Sequence, residues 1–381
     1  MRNRTAAKIL DFLKVPLFFA GVFVGMLLLA GCGSGSGVQV PPAPPGLTAP
    51  SVAYVVNHNS QNINAYYLDS RSGVMADLSK SPFRTSLQNP SPAVLHPSGN
   101  FLYVGDTIVG AIQVYSTNFT AGDLSTVEVT FMRDSLNWLT GMTITPNGKY
   151  LYAAANTELD AFKILPDGSL IPLAGSPVSF AGSSLQSAVI DFSGQYLYLT
   201  DGGATGRIFA YQINSDGSLT AVPGSPFAVP ASLAPAVFDN SGTFLYAADF
   251  SNHIYAFKKA GNGALTALPG FPIATPASTE PIALIFEPTN HFLYASLTPG
   301  DAVAAYSFDS GSGTLTAVSG SPFVTGHGPF GMATDTKGKF LYVANHFDDT
   351  VSVLSIGSTG GLSFASVANT RASPASVVIL P

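Results

Sequence analysis

Seven copies of one short pattern recur along this chain, and their spacing constrains the fold more than any other feature. Each copy is an aromatic-rich segment centred on a tyrosine, at Tyr54, Tyr103, Tyr152, Tyr198, Tyr246, Tyr294 and Tyr342. Consecutive tyrosines are 46 to 49 residues apart. Self-similarity at this period indicates repeated supersecondary units, and all-strand units of this length are typical of propeller blades. The spacing therefore predicts an all-β, seven-bladed β-propeller.

A second marker, a turn followed by an apolar residue, recurs once in each repeat along with the tyrosine. Asp167-Gly168-Ser169-Leu170 and Asp216-Gly217-Ser218-Leu219 are two of its copies. Within one repeat, short apolar or alternating runs indicate four strands, at residues 93–95, 101–104, 112–115 and 124–131. Turn residues separate these runs. Each repeat is therefore predicted to form a four-stranded antiparallel blade.

The two ends of the repeat region complement each other. Residues 51–56 resemble a second strand, so the first blade lacks its innermost strand. Residues 374–379, close to the C-terminus, have the pattern of an innermost strand with no second strand after it. Pairing the two segments would close the ring and leave no open sheet edge. We predict that the C-terminal strand completes blade one.

The N-terminus has the features of a targeting signal. Four basic residues precede an apolar run at 15–29, which is shorter than a typical membrane-spanning helix. The run ends in Leu29-Ala30-Gly31-Cys32, which resembles the lipobox of bacterial lipoprotein signal peptides. That resemblance implies that Cys32 is acylated and becomes the mature N-terminus. We predict a signal peptide at 1–31, a flexible Gly/Ser/Pro linker at 32–50 and the propeller at 51–381.

Charge and cysteine content narrow the choice of partners. The signal contains four of the 16 basic and one of the 22 acidic residues, so the remainder carries a net charge near −9. Such a domain lacks the electrostatic footprint of a nucleic-acid binder and has no polybasic patch for anionic lipid. We expect attachment to the membrane through the acylated Cys32, in the cell envelope and facing the periplasm or exterior. Gly33, which follows the cysteine, leaves outer-membrane placement open.

The repeats resemble those of the lactonase-like seven-bladed propellers, also described as YVTN-type repeats, over residues 51–381. The most specific pieces are residues 340–345 (FLYVAN), residues 217–220 (GSLT) and the Ser-Pro-Phe triplets beginning at Ser81, Ser225 and Ser321. Members of that family include 6-phosphogluconolactonases and a muconate-lactonising enzyme. The resemblance therefore implies the propeller fold and makes lactone hydrolysis a candidate activity.

Polar residues of the first and last blades are predicted to meet at one mouth of the channel. Closing the ring makes these blades neighbours, so His58, His327 and His346 could converge with Asn57 and Asn345. Three imidazoles near carboxylates could supply a general base or a metal site. Alternatively, polar residues at strand ends satisfy the backbone groups of repeated turns. With one cysteine and no metal-binding motif, we predict no cofactor and no metal.

Two further candidates lie in other blades. The segment from Asp201 to Arg207 is similar to a D-L-G-x-D-R segment of the family, with Gly206 in place of the inner aspartate. Arg207 could hold a substrate carboxylate or phosphate, or could be the ion-pair partner of Asp201. Trp138 could stack on a sugar ring or pack between blades.

Two functions follow from these observations. The first is a cell-envelope binding or interaction module that holds a small molecule, glycan or protein at the channel mouth. It explains why most histidines of the lactonases are missing here, with only His327 remaining nearby. The alternative is a lactone hydrolase for a carbohydrate lactone, with His327 or His346 as general base and Arg207 holding the substrate. The sequence favours the first, because fold analogy alone is weak evidence for an activity.

Overall fold

The structure, a computed structural model, describes residues 51–118, 121–132 and 138–380. These residues form strands and turns, and no helix. Consequently, within the described ranges no helix is long and apolar enough to cross a membrane. The predicted signal peptide, the linker and Cys32 lie outside the described residues.

The strands form seven antiparallel sheets that follow one another along the chain as seven blades. Blade 1 contains β1 (Ser51–Asn57), β2 (Asn62–Leu68), β3 (Met75–Asp77) and β4 (Phe83–Arg84). Blade 2 contains β5 (Pro90–Leu95), β6 (Phe101–Asp106), β7 (Ala111–Thr117) and β8 (Leu124–Phe131). Blade 3 contains β9 (Leu139–Ile144), β10 (Tyr150–Ala155), β11 (Glu158–Ile164), β12 (Leu170–Pro172) and β13 (Val178–Ser179). Blade 4 contains β14 (Leu185–Ile190), β15 (Tyr196–Asp201), β16 (Arg207–Ile213), β17 (Leu219–Ala221) and β18 (Phe227–Ala228).

The remaining strands complete the ring. Blade 5 contains β19 (Leu233–Phe238), β20 (Phe244–Asp249), β21 (His253–Lys259), β22 (Leu265–Ala267) and β23 (Ile273–Ala274). Blade 6 contains β24 (Pro281–Phe286), β25 (Phe292–Leu297), β26 (Ala302–Phe308), β27 (Leu315–Ala317) and β28 (Phe323–Val324). Blade 7 contains β29 (Pro329–Thr334), β30 (Phe340–Asn345), β31 (Thr350–Ile356) and β32 (Leu362–Asn369), and β33 (Pro374–Ile379) follows it.

The C-terminal strand closes the ring, as predicted. β33 pairs antiparallel with β1, placing Val378 opposite Tyr54 and Ser376 opposite Val56. The innermost strands β5, β9, β14, β19, β24, β29 and β33 contact one another in cyclic order. Blade 1 thus takes its innermost strand from the other end of the chain.

The hydrophobic core consists of apolar layers between neighbouring blades, and the seven repeated tyrosines are buried in them. In six blades the structure records a bond from the tyrosine hydroxyl to the carbonyl of the second marker's glycine in the next blade. Tyr103 donates to Gly168 at 2.9 Å and Tyr198 to Gly263 at 2.7 Å. The two sequence markers are therefore the two partners of one inter-blade hydrogen bond.

The fourth strand differs from the simple prediction in five blades. In blades 1, 3, 4, 5 and 6 it is divided into two short segments, which both pair with the third strand. A dipeptide that ends in proline lies at each division, for example Ser225-Pro226. The backbone N–H of Ala210, in the third strand, donates a hydrogen bond of 2.9 Å to the Ser225 hydroxyl. The serine therefore satisfies this N–H where the outer strand is divided. The Ser-Pro-Phe triplets of the sequence lie at three of these divisions, in blades 1, 4 and 6, and the other two contain Ser176-Pro177 and Phe271-Pro272.

Candidate active site

Four loops of blades 6 and 7 meet on the face of the ring where the innermost strands begin. Residues 275–280 and 325–328 precede β24 and β29, and residues 298–301 and 346–349 follow β25 and β30. Thr298 joins them, because its backbone exchanges hydrogen bonds of 2.9 and 3.2 Å with Glu280. The Thr298 hydroxyl donates to the Pro329 carbonyl at 2.6 Å. These four loops are called the blade 6–7 mouth below.

His327 and Asp301 form a carboxylate–imidazole pair in this mouth. Nδ1 of His327 lies 2.8 Å from Oδ1 of Asp301, which also accepts the Gly328 N–H at 2.9 Å. Burial raises the pKa of Asp301, but the hydrogen bonds from Gly328 and His327 outweigh it, and the pKa lies below its ordinary value. An ionised carboxylate only accepts hydrogen bonds, so in the neutral imidazole Nδ1 carries the proton and Nε2 keeps its lone pair. The His327 side chain is more than half exposed, which suits a base that meets a substrate from solvent.

Glu280, in a loop on the same side of the ring, is a second titratable group. Burial, with the negative charge of Asp249 in the neighbouring blade, raises the pKa of Glu280 to about 7. Its Oε2 is inaccessible to solvent and has no hydrogen-bond partner. A carboxyl group that titrates near neutral pH can act as a general acid. Sequence reasoning did not select Glu280, because its burial beside Asp249 arises only when blades 5 and 6 pack together.

His58 and His346 lie together at the seam between blades 7 and 1. Their ring centroids are 5.3 Å apart, and the ring of Phe330 lies 5.2 Å from His346. The backbone N–H of His58 donates to the Ser373 carbonyl, and the ring Nδ1 of His346 lies 3.2 Å from the Pro374 carbonyl. Burial, with a smaller effect of His346, lowers the pKa of His58 to about 3, and burial also lowers that of His346. The backbone of His58 and the ring of His346 thus hold the start of β33, and both imidazoles are poorly exposed for catalysis.

The loops of His327 and His346 are adjacent, and the convergence of the three histidines on one site stays a prediction. The backbone N–H of His346 donates to the Gly328 carbonyl, and that of Phe347 donates to the His327 carbonyl. The ring of Phe347 lies 5.2 Å from the ring of His327 and 5.1 Å from that of His346. No three His, Cys, Asp or Glu side chains in the described part of the chain are grouped so as to hold a metal ion. The structure thus records a ring contact between His58 and His346 and a hydrogen bond between His327 and Asp301 in an adjoining loop.

Asn57 and Asn345 do not line the mouth, contrary to the prediction. Both side chains are fully buried. Nδ2 of Asn57 donates to Oδ1 of Asn62 and of Asn64, each at 2.9 Å. Nδ2 of Asn345 donates to the hydroxyls of Thr350 and Ser352, also at 2.9 Å. Both residues therefore hydrogen-bond within their own hairpin, to side chains of the adjacent strand and not to the backbone of a turn.

Arg207 and Asp201 form an ion pair. This is the second of the two roles predicted for Arg207, the first being to hold a substrate carboxylate or phosphate. Nε and an Nη atom of Arg207 contact Oδ2 of Asp201 at 2.9 and 2.7 Å, and the guanidinium also reaches the Ser183 hydroxyl. Asp201 is completely buried. The pair belongs to blade 4, so the structure does not bring Arg207 to His327 in blade 7. Trp138, which precedes β9 in blade 3, is 47% exposed and remains a prediction as a ligand contact.

Fold and site together define a seven-bladed propeller whose loops on one face carry a carboxylate–imidazole pair and a carboxyl group of raised pKa. The chain belongs to the family described as lactonase, 7-bladed beta-propeller, whose family model matches residues 49–379. This membership supports the hydrolase alternative better than the non-catalytic binding module that the sequence placed first.

Individual relatives are distant. The chain is 28% identical to a 6-phosphogluconolactonase of Serratia proteamaculans over 198 residues, which are 48% of this chain and 59% of the relative. It is 28% identical to that of Cronobacter sakazakii over 141 residues, 35% of this chain and 41% of the relative. The matches thus span about half the length of these curated relatives. The solved structure of a Pseudomonas aeruginosa periplasmic gluconolactonase superposes with a TM-score of 0.77 at 21% identity, covering 87% of this chain and 99% of that one. At that identity the likeness shows the fold alone.

Proposed function

We propose that this chain hydrolyses an uncharged sugar lactone at the blade 6–7 mouth. The observation that carries the proposal is the His327–Asp301 pair, which leaves Nε2 of His327 free to accept a proton. The family and the lactonase relatives support the reaction class. Glu280 supports it further, because a group with a pKa near 7 in the adjoining loop can supply the proton that the leaving group needs.

The proposed reaction uses one water molecule. Nε2 of His327 takes a proton from the water while the water oxygen attacks the lactone carbonyl carbon. The ring carbon–oxygen bond then breaks, and the departing alkoxide takes a proton from Glu280. The product is the open hydroxy acid, and proton exchange with solvent restores both side chains. Asp301 keeps the imidazole in the required tautomer and stabilises the imidazolium that forms.

The charge of the mouth favours an unphosphorylated substrate. Its four loops contain no lysine or arginine and carry four acidic residues, Glu280, Asp301, Asp348 and Asp349. A phosphate group on the sugar would meet like charges without a cationic partner, whereas phosphate sites are normally built from Arg, Lys or backbone donors. We therefore assign an uncharged sugar lactone and not the phosphorylated lactone of the curated relatives.

We also propose that the protein acts in the cell envelope, held to a membrane by lipid on Cys32. The lipobox-like segment and the acidic remainder of the chain support this location. Incorporation of a labelled fatty acid tests it, with recovery in the membrane fraction as the second readout. Cys32→Ser should lose both, whereas unlabelled native chain in the soluble fraction would refute the proposal.

A comparison of two substrates tests the activity. We expect glucono-δ-lactone to be turned over faster than its 6-phosphate. His327→Ala should reduce kcat/KM at least about 100-fold, the usual contribution of a general base.

His291→Ala is the matched control, because His291 lies in a turn at the other ends of the strands, where its Nδ1 contacts the Thr289 hydroxyl. Folded protein that hydrolyses no lactone would favour the binding module, and a preference for the phosphorylated lactone would overturn the substrate assignment.

A further inference from the structure

The outer edges of the seven blades are not equally protected against pairing with another strand. An exposed edge strand presents unpaired N–H and C=O groups, and proteins usually block it with proline, charge or a break. Blades 1, 3, 4, 5 and 6 have a proline-containing division in the outer strand. Blade 2 has an unbroken outer strand, β8, but that strand carries Glu128.

Blade 7 has neither a proline-containing division nor a charge on its outer strand. That strand, β32, is continuous over eight residues, Leu362–Asn369, with one β-bulge at Ala365, and it ends the sheet order β29-β30-β31-β32. Residues 350–370 contain no proline and no charged residue. Phe364 and Val367 are 68% and 54% exposed on this strand. At roughly 3.4 Å per residue, β32 offers a strand edge roughly 27 Å long.

We propose that β32 is the interface of a two-fold dimer, in which two copies of this chain pair edge to edge through antiparallel β32 strands. The two four-stranded sheets of blade 7 would then form one continuous sheet across the dimer. Pairing the same edge of both copies is a closed arrangement that leaves no free edge for further addition. Main-chain hydrogen bonds would supply the association, as in other cases of β-strand addition.

Charge argues for a second copy as the occupant. The chain after the signal carries a net charge near −9, so two copies repel each other across most surfaces. The charge-free β32 edge avoids like charges directly opposite each other, which destabilise paired strands. The bulge at Ala365 puts Phe364 and Val367 on the same face of β32. A two-fold axis between Ala365 and Ser366 would therefore place Phe364 of each copy opposite Val367 of the other. The two exposed apolar side chains of the strand would then cover each other.

A lysine placed on the edge tests the proposal. The full-length chain, in a density-matched mild detergent, should sediment at equilibrium with the mass of two chains, and Val367→Lys should reduce this to one. The matched control is Val324→Lys, on the proline-divided edge of blade 6, where Val324 is 79% exposed. The control should remain a dimer, and both variants should keep the native melting temperature.

Three results would overturn the inference. One is a native chain that sediments as a monomer at micromolar concentrations. Another is a dimer that Val367→Lys leaves intact while Val324→Lys dissociates it. The third is a stable complex with a different polypeptide, lost in Val367→Lys, which would make β32 a docking edge for that partner instead of a second copy.

Discussion

The hydroxyl of Tyr152 in blade 3 donates a hydrogen bond of 2.7 Å to the carbonyl of Gly217 in blade 4. The two residues belong to the two repeating sequence markers, and the same bond recurs between other pairs of blades. Gly217 has φ +84°, and a Cβ there would lie 2.5 Å from the ring of Tyr150. The hydrogen bond therefore explains why the tyrosine recurs, and the positive φ together with the adjacent ring explains why the glycine recurs.

Removing either side of this contact should weaken the propeller. We expect Tyr152→Phe to cost about 1–2 kcal/mol, because a buried carbonyl loses its donor. Gly217→Ala should cost more, about 2–5 kcal/mol, from backbone strain plus the clash with Tyr150. The free energy of unfolding in urea measures both. Gly175→Ala is the control, since Gly175 has φ +85° but open space around its Cβ; equal losses at Gly175 and Gly217 would show that the clash contributes nothing.

Deleting residues 374–381 should abolish cooperative folding. The deletion removes β33, so β1 loses its inner partner and the ring loses its closure. Thermal unfolding followed by circular dichroism is the measurement, and removal of Pro381 alone, which leaves β33 intact, is the control. A truncated chain that still melts cooperatively near the native temperature would contradict the closure.

Acid should destabilise the fold through His58. The pKa of His58 is about 3 in the folded protein, against an ordinary value of 6.5. Between these two pH values the unfolded chain therefore binds more protons than the folded protein. The free energy of unfolding should therefore be lost as pH falls below about 6.5, by up to ~1.4 kcal/mol per pH unit for this group. Denaturation at several pH values should show a shallower loss in His58→Gln than in the native chain or in His291→Gln. Parallel curves would remove His58 as the cause.

Arg207→Ala should lower stability more than activity. The substitution leaves the buried Asp201 carboxylate without its guanidinium partner, which we expect to cost about 2–4 kcal/mol. Lactone turnover, measured well below the melting temperature, should stay within a few-fold of the native value. Arg84→Ala is the control, because Arg84 is exposed and forms no ion pair in the described ranges. Loss of turnover in a stable Arg207 variant would restore a substrate-binding role.

The pH dependence of turnover should report Glu280. With a raised pKa of about 7, the carboxyl is protonated below that pH and can donate to the leaving group. The kcat/KM of the native chain should therefore decline above about pH 7, and this decline should be absent in Glu280→Gln, whose overall rate is lower. Asp348→Asn, in the same mouth but bound to the His327 backbone N–H, should keep the decline. An unchanged profile in Glu280→Gln would exclude it as the acid.

The sequence by itself determined the architecture, because every blade repeats the same local requirements. The recurring tyrosines and glycines set seven units, and residues 374–379 were recognisable as the strand that completes the first one. Three of the five divisions of the outer strands were visible in the sequence as Ser-Pro-Phe triplets, but their meaning depends on pairing with the third strand.

Only the tertiary structure decided the site. Burial removed Asn57, His58, Asn345 and His346 from the surface, although their strand-end positions in the sequence resemble those of ligand-binding residues. Packing between blades 5 and 6 gave Glu280 its raised pKa, and the approach of two loops gave His327 its carboxylate partner. The physical reason is that pKa values and accessibility depend on neighbours from other blades, which sequence spacing does not specify.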